Sequence, residues 1–291
     1  MAQPCRRLAY FDTNIFDNLL KKTGGVIESD EVRLRAAIEA DRLSVLLSIL
    51  NIQETLGAHH SRRPDLVLPQ LQLILNLTDW DRFVKPCDVL ITDDIKHFSW
   101  NGEPDQPFIR EPPSNQLRSA LQELQLGRRN FDELDDLIKE DRRQKEGFLQ
   151  GVEEVQEETR AQIQDLKERG PIPTFQEYLT SQAAEIVARD LAQHIGPEVS
   201  RLCEQRGLAA FLRVPSVRIT VGLTLSFIYR TDLEGKRPKI GASRDLQHAP
   251  PAAAAADTFV THDTELAYLL RRVPTSGFQV LSLRELLQDL A

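Results

Sequence analysis

Short apolar runs alternate with helical patterns at both ends of the chain, and this alternation limits the folds that the sequence can adopt. Near the amino terminus, LAYF is followed by helical stretches, and LSVLLSIL at 43–50 is followed by a helix that we expect to begin near Ile52. Apolar runs of about four to eight residues are typical of strands buried on both faces, as in a parallel sheet covered by helices. Residues 6–60 are therefore predicted to be α/β.

The carboxyl-terminal part of the chain shows this pattern again. From Val214 the apolar stretch VPSVRITVGLTLSFIYR resumes the α/β pattern, a helix is expected to start near Arg244, and TFVT at 258–261 is a short strand. FQVLSL and RELLQDLA predict a last strand and helix, with Ser282 and Glu285 at the spacing of a capping box.

The segment between these two parts is rich in charge and poor in strand signals. Between residues 114 and 169, apolar side chains recur at the spacings of an amphipathic helix. We interpret these helices as solvated faces of an antiparallel pair rather than as a nucleic-acid-binding arm. The patterns together predict one discontinuous domain, residues 6–60 and 214–291, interrupted by a mostly helical insertion at 61–213.

Composition and charge argue against several classes of protein. The 291 residues carry a net charge of -8, which disfavours a protein that binds polyanions with its whole surface. The chain has no apolar run long enough to span a membrane, and its first residues lack the apolar core of a secretory signal, so we expect a cytoplasmic protein. Cys5, Cys87 and Cys203 are widely spaced, so neither a disulfide framework nor a thiolate zinc site is predicted.

Four acidic residues stand after apolar runs or at the start of a helix. Asp12 follows LAYF, Glu54 follows LSVLLSIL and Asp263 follows TFVT, while Asp245 begins the helix before TFVT. Ligands of open parallel sheets bind outside the carboxyl ends of the strands, so we expect these acids to meet in one crevice. Neighbouring carboxylates repel one another, and Mg²⁺ or Mn²⁺ would neutralise them. The pattern predicts hydrolysis of a phosphate ester by a metal-activated water.

The order of these residues resembles that of the PIN-domain nucleases. The motifs that carry the resemblance are Asp12 and Asn14 in D-x-N, Glu54 at the head of a helix, Asp245, and, 18 residues later, Asp263 in T-x-D with Thr261. The resemblance implies an α/β/α sandwich with a central parallel sheet of about five strands, one or two Mg²⁺ or Mn²⁺ ions, and hydrolytic cleavage of RNA. In that scheme the four acids are the catalytic and metal-binding residues, and Asn14 and Thr261 orient them.

Two features depart from the pattern of this family. The insertion at 61–213 is much longer than the corresponding connections of compact members. Pro250 and Pro251 stand where the family has an uninterrupted helix, and they predict that the helix after Asp245 bends or restarts.

Each acid also has a simpler interpretation as a helix cap or a surface residue. Asp12 and Asp245 can cap the helices that follow them, Glu54 can be a capping or surface acid, and Asp263 can cap the last-but-one helix. A second T-x-D occurs in CDVLITDDIKHF at 87–98, but no acid precedes its Asp94 by 18 residues, so we predict a helix there.

Two histidines lie near the predicted site. His248 follows Asp245 by one helical turn, and His262 stands between Thr261 and Asp263. A lone histidine is more often structural or exposed than catalytic, so neither is assigned a role in the site.

We therefore predict a metal-dependent endoribonuclease of PIN-like type. One alternative is a catalytically silent PIN-fold module that binds RNA or protein. Another is a phosphatase of haloacid-dehalogenase type with Asp12 as nucleophile, which Asn14 disfavours because it cannot act as the general acid. RNA is the expected partner, with contacts at Lys236, Arg237 and Lys239. No membrane partner is expected, and a homodimer and an inhibitor such as an antitoxin remain open.

Overall fold

The structure is a computed structural model of the chain. It describes residues 6–59, 63–111, 173–180, 182–235, 242–275 and 277–291, with scattered positions between 115 and 168. The amphipathic helices predicted between 114 and 169 thus fall almost wholly outside the described residues. The predicted RNA contacts Lys236, Arg237 and Lys239 also lie outside them.

Five parallel strands form the central sheet, in the order β3-β2-β1-β4-β5. The strands are β1 (Arg7–Phe11), β2 (Leu43–Ser48), β3 (Thr78–Val84), β4 (Thr258–Val260) and β5 (Gln279–Leu281). All six residues of β2 are buried, as expected for a strand covered on both faces. The predicted α/β/α sandwich with a five-stranded parallel sheet is confirmed.

The helices of the first third of the chain follow the strands in sequence. They are α1 (Thr13–Lys21), α2 (Glu28–Glu39), α3 (Ile49–His59), α4 (Pro64–Leu77) and α5 (Cys87–Asn101). The second T-x-D sequence lies within α5, so the prediction of a helix there is confirmed.

The helices of the remaining chain form two groups. The first comprises α6 (Phe175–Leu179), α7 (Gln182–Ile195), α8 (Pro197–Arg206) and α9 (Leu208–Phe211). The second comprises α10 (Pro215–Ile228), α11 (Ala242–Ala255), α12 (Thr264–Arg272) and α13 (Leu283–Asp289). Helix α11 continues through Pro250 and Pro251, so it is one element and does not restart at these prolines. The predicted capping box at the start of α13 is confirmed, since the backbone N–H of Ser282 donates to Glu285 and that of Glu285 to Ser282.

Alternate residues of β1 point to opposite faces of the sheet and belong to separate apolar cores. Ala9 and Phe11 pack with residues of α1 to α4 and α13, whereas Tyr10 packs with residues of α10 to α12. A third core joins α5 to α10 away from the sheet and includes Phe98 and Phe211. The molecule therefore has a sheet core on each face and a separate helical core.

Most of the apolar stretch at 214–230, which we expect to continue the α/β pattern, forms helix α10. Ile219 and Leu223 face the sheet core, while Val217 and Val221 face the helical core. A helix buried on two sides is apolar nearly all round, so its periodicity does not distinguish it from buried strands. Pro215 in its first turn is compatible with a helix start.

The sheet instead takes its remaining strand from the segment predicted to be a mostly helical insertion. Strand β3 lies within 61–213 and pairs with β2, so the boundary predicted at residue 60 does not coincide with the edge of the sheet. The sequence of β3, TDWDRFV, is polar because it is an edge strand, and its register shifts opposite Leu46 and Leu47. These features explain why the sequence of β3 contains no apolar run that would predict a strand.

Candidate metal centre at the carboxyl edge of the sheet

The carboxyl ends of three neighbouring strands bring polar side chains together. Asp12 follows the last residue of β1, Ser48 ends β2, and Thr261 follows β4. All three residues are buried. Because β1 lies between β2 and β4, these side chains meet at the middle of the sheet edge, where open α/β sheets bind ligands.

The carboxylate of Asp12 is held by two side chains. Its Oδ2 accepts hydrogen bonds from Asn14 Nδ2 at 2.5 Å and from Thr261 Oγ1 at 2.6 Å. Asp12 occupies the N-cap position of α1. A capping role alone does not account for its hydrogen bond from Thr261, which lies outside that helix.

Asn51 holds the residues on both sides of Asp12. Its buried side-chain Nδ2 donates to the carbonyl of Phe11 and to Thr13 Oγ1, each at 3.0 Å. Sequence analysis missed this residue. Its signal is the spacing N-x-x-E, which places Asn51 and Glu54 one turn apart on α3, facing the same side.

Glu54 reaches the site from α3 and contacts His248 from α11. The imidazole Nε2 lies 3.0 Å from Glu54 Oε2, and Nδ1 lies 2.8 Å from the hydroxyl of Tyr10. That hydroxyl donates in turn to Ser48 Oγ at 2.9 Å. Tyr10 and His248 are fully buried, and 15 % of the Glu54 side chain is exposed. His248, interpreted above as structural or exposed, is thus a buried partner of a predicted site acid.

Asp12, Glu54 and His248 form a compact group of potential metal ligands. One carboxylate oxygen from each acid and one ring nitrogen of His248 all lie within 4.8 Å of one another. Carboxylate oxygens are the usual protein ligands of Mg²⁺ and Mn²⁺, and imidazole is accepted by transition-metal ions. The residues therefore fit a divalent metal ion.

The remaining two predicted acids are Asp263 and Asp245. Asp263 Oδ1 caps α12, accepting from the backbone N–H groups of Glu265 at 2.7 Å and Leu266 at 2.8 Å, and Asp263 is not a member of the group of three. Asp245 lies in α11, but its side chain is outside the described residues, so its role stays a prediction.

Burial and mutual repulsion disfavour negative charge at this edge. Burial raises the pKa of the Asp12 carboxyl; the nearby His248 opposes this shift and Glu54 adds to it. Burial likewise raises the pKa of Tyr10 well above its ordinary value, the hydrogen bond to Ser48 lowers it, and Glu54 and Asp12 raise it further. A cation beside Asp12 and Glu54 would remove this electrostatic cost.

His262 is the second histidine near the site. Its Nδ1 accepts a hydrogen bond from Asn18 Nδ2 at 2.7 Å, and its backbone N–H donates to Asn14 Oδ1 at 3.1 Å. Burial lowers the pKa of its imidazole. It is not part of the group formed by Asp12, Glu54 and His248.

Comparisons with protein-family models, curated proteins and solved structures find no match for this chain. The resemblance to the PIN-domain nucleases stays a prediction carried by the motifs described above. Within the described ranges, no helix combines the length and apolarity needed to cross a bilayer.

Proposed function

We propose that this protein is a metal-dependent ribonuclease that hydrolyses RNA phosphodiester bonds at the carboxyl edge of its sheet. The observation that carries the proposal is the approach of Asp12, Glu54 and His248, which lie far apart in sequence, to within 4.8 Å of one another. The ordered acidic motifs of the sequence support the same reaction. A cytoplasmic RNA substrate and the contacts predicted at Lys236, Arg237 and Lys239 belong to this proposal.

The arrangement of the site supports hydrolysis because the first acid is fixed before any substrate arrives. Thr261 and Asn14 both donate to one oxygen of Asp12, so its carboxylate has a defined direction. Asn51 holds the adjoining backbone. Preorganised charged groups of this kind stabilise a transition state without reorganising during the reaction.

A bound Mg²⁺ or Mn²⁺ would supply an activated water and positive charge beside the scissile phosphate. Asp12 and Glu54 would hold the ion, and the buried surroundings would strengthen their attraction to it. Hydrolysis adds one water across a P–O bond and yields a phosphate monoester and a hydroxyl group. The side chains of Thr261 and Asn14 keep Asp12 in position throughout.

The test is cleavage of a mixed-sequence RNA by the wild type and by Asp12→Asn, each with Mn²⁺ or Mg²⁺. We expect Asp12→Asn to cleave at least about a hundredfold more slowly, a loss of about 2.7 kcal/mol of transition-state stabilisation. Asp81→Asn makes the same chemical change at an exposed position of β3 and should cleave like the wild type.

Equal cleavage by Asp12→Asn and the wild type would contradict the assignment of the site. A folded wild-type protein that neither cleaves RNA nor binds Mn²⁺ in a calorimetric titration would instead support the catalytically silent binding module.

A further inference from the structure

We infer that His248 is a nitrogen ligand of the metal ion, that Tyr10 holds it in the required tautomer, and that the site consequently prefers a divalent first-row transition-metal ion, such as Mn²⁺, to Mg²⁺. The inference rests on the proposed metal site and deepens it. Sequence motifs assign the metal to carboxylates alone, whereas the structure places a fully buried imidazole among them.

The contact with Tyr10 suits the tautomer of His248 that can bind a metal ion through Nε2. The phenol donates its proton to Ser48 Oγ, so its oxygen presents lone pairs to Nδ1 of the imidazole, 2.8 Å away. When Nδ1 donates a proton to this oxygen, Nε2 is the nitrogen that can offer its lone pair to a metal ion. Histidines that bind metals are commonly fixed in this way, with the second ring nitrogen donating to a neighbouring oxygen.

Nε2 of His248 lies beside Glu54. Nε2 and Glu54 Oε2 are 3.0 Å apart, so a proton on Nε2 can bridge them in the metal-free protein. The carboxylate of Asp12 contributes a further oxygen within 4.8 Å. These three donors surround a position that a cation can occupy in exchange for the proton.

The choice of metal follows from the nitrogen donor. Mg²⁺ is a hard ion that prefers oxygen ligands and retains its waters, whereas imidazole binds well to first-row transition-metal ions. One nitrogen and two carboxylate donors thus favour Mn²⁺ over Mg²⁺ more than an all-oxygen site would. Tyr10 is a positioning residue in this arrangement, because it acts on the ion only through His248.

The experiment measures Mn²⁺ binding by electron paramagnetic resonance, with Mg²⁺ as competitor, and looks for nitrogen coupling to bound Mn²⁺ by electron spin echo modulation. The wild type should show coupling to one imidazole nitrogen, and His248→Gln should lose it. Tyr10→Phe keeps the buried ring and removes the hydroxyl, and it should weaken Mn²⁺ binding about 10- to 100-fold with a smaller effect on Mg²⁺. Tyr10→Phe is the conservative variant, and His248→Gln tests the inference if the former does not fold.

His262→Gln is the matched control, since it removes a neighbouring imidazole outside the group of three and should leave the nitrogen coupling unchanged. Bound Mn²⁺ without nitrogen coupling, or wild-type affinity for Mg²⁺ equal to that for Mn²⁺, would overturn the inference. Nitrogen-coupled Mn²⁺ in a protein that does not cleave RNA would leave the inference standing and refute the proposed function. RNA cleavage by a protein whose bound metal ion has only oxygen ligands would support the proposed function and refute the inference. A folded protein that binds no divalent ion would refute both.

Discussion

Asp12 and Asp94 are both buried aspartates, one at the edge of the sheet and the other on α5 beside the helical core. Both belong to short sequences that resemble nuclease motifs, D-x-N and T-x-D. Their exposed fractions are 3 % and 1 %, and burial raises the pKa of each carboxyl. Burial and local sequence therefore do not distinguish a site acid from a structural one.

The partners of the two carboxylates do distinguish them. Asp94 accepts hydrogen bonds from Ser216 Oγ and from the backbone N–H of Asp105, and the charge of Lys85 acts on it favourably. Asp12 instead has the carboxylate of Glu54 and the imidazole of His248 within 4.8 Å. At Asp94 the positive charge of Lys85 offsets the neighbouring carboxylate of Asp105, whereas a bound cation would offset the paired charges of Asp12 and Glu54.

The largest effect is expected from Asp94→Ala, which should lower the free energy of unfolding by about 2–4 kcal/mol because it leaves the Ser216 hydroxyl and the Asp105 N–H unpaired. The affinity for Mn²⁺ should not change. Urea unfolding and calorimetry measure the two quantities. Asp93→Ala on the same helix removes a partly exposed ion pair with Lys85 and should cost less than about 1 kcal/mol. An equal cost for both would contradict the structural role of Asp94.

Removing the hydroxyl group that donates to each aspartate should show that protein stability and metal affinity can be changed independently. Ser216→Ala and Thr261→Val each remove a hydrogen bond to a buried carboxylate and should each lower stability by about 1–2 kcal/mol. Only Thr261→Val should weaken Mn²⁺ binding, because only Asp12 belongs to the site. Equal weakening of Mn²⁺ binding in both variants would remove the distinction between the two regions.

Asp12→Asn should stabilise the metal-free protein at neutral pH by about 1 kcal/mol, since a neutral amide replaces a buried carboxylate close to Glu54. Folding raises the pKa of Asp12, so the folded state retains its proton to higher pH than the unfolded chain does. The stability due to the protonated carboxyl is fully present below its ordinary pKa of 3.8 and is lost as the pH rises through the higher folded value. Thermal unfolding in EDTA at several pH values should show the advantage of the variant growing over that range, and an advantage that shrinks would refute the explanation.

The smallest effect is expected from Thr258→Val, which should raise stability by about 0.5–1 kcal/mol. Thr258 is fully buried on β4, and its hydroxyl has no hydrogen-bond partner in the part of the chain that the structure describes. The same substitution at Thr261, three residues later, is expected to have the opposite sign. Destabilisation by Thr258→Val in urea unfolding would show that its hydroxyl is paired after all.

Much of the fold could be predicted because its strands are buried and its helices have clear ends. LAYF, LSVLLSIL and TFVT are mostly apolar and carry no charge, since both faces of the sheet are covered, and Ser282 with Glu285 marks a helix start. Strand β3 and helix α10 escaped prediction for opposite reasons. The edge strand is too polar to resemble a buried strand, and the doubly buried helix is too apolar to show one face.

The sequence by itself determined the parallel α/β class, the presence of acids at the strand ends and the order in which they occur. Only the tertiary structure decided that Asp12 meets Glu54 and His248, that Asp263 caps α12, and that Asp94 is a structural residue. Hydrogen-bond partners of buried polar groups come from elements distant in the chain, and local sequence carries no record of them. Tyr10 occupies an ordinary apolar position in a strand, yet its hydroxyl orients His248 because the fold brings α11 against β1.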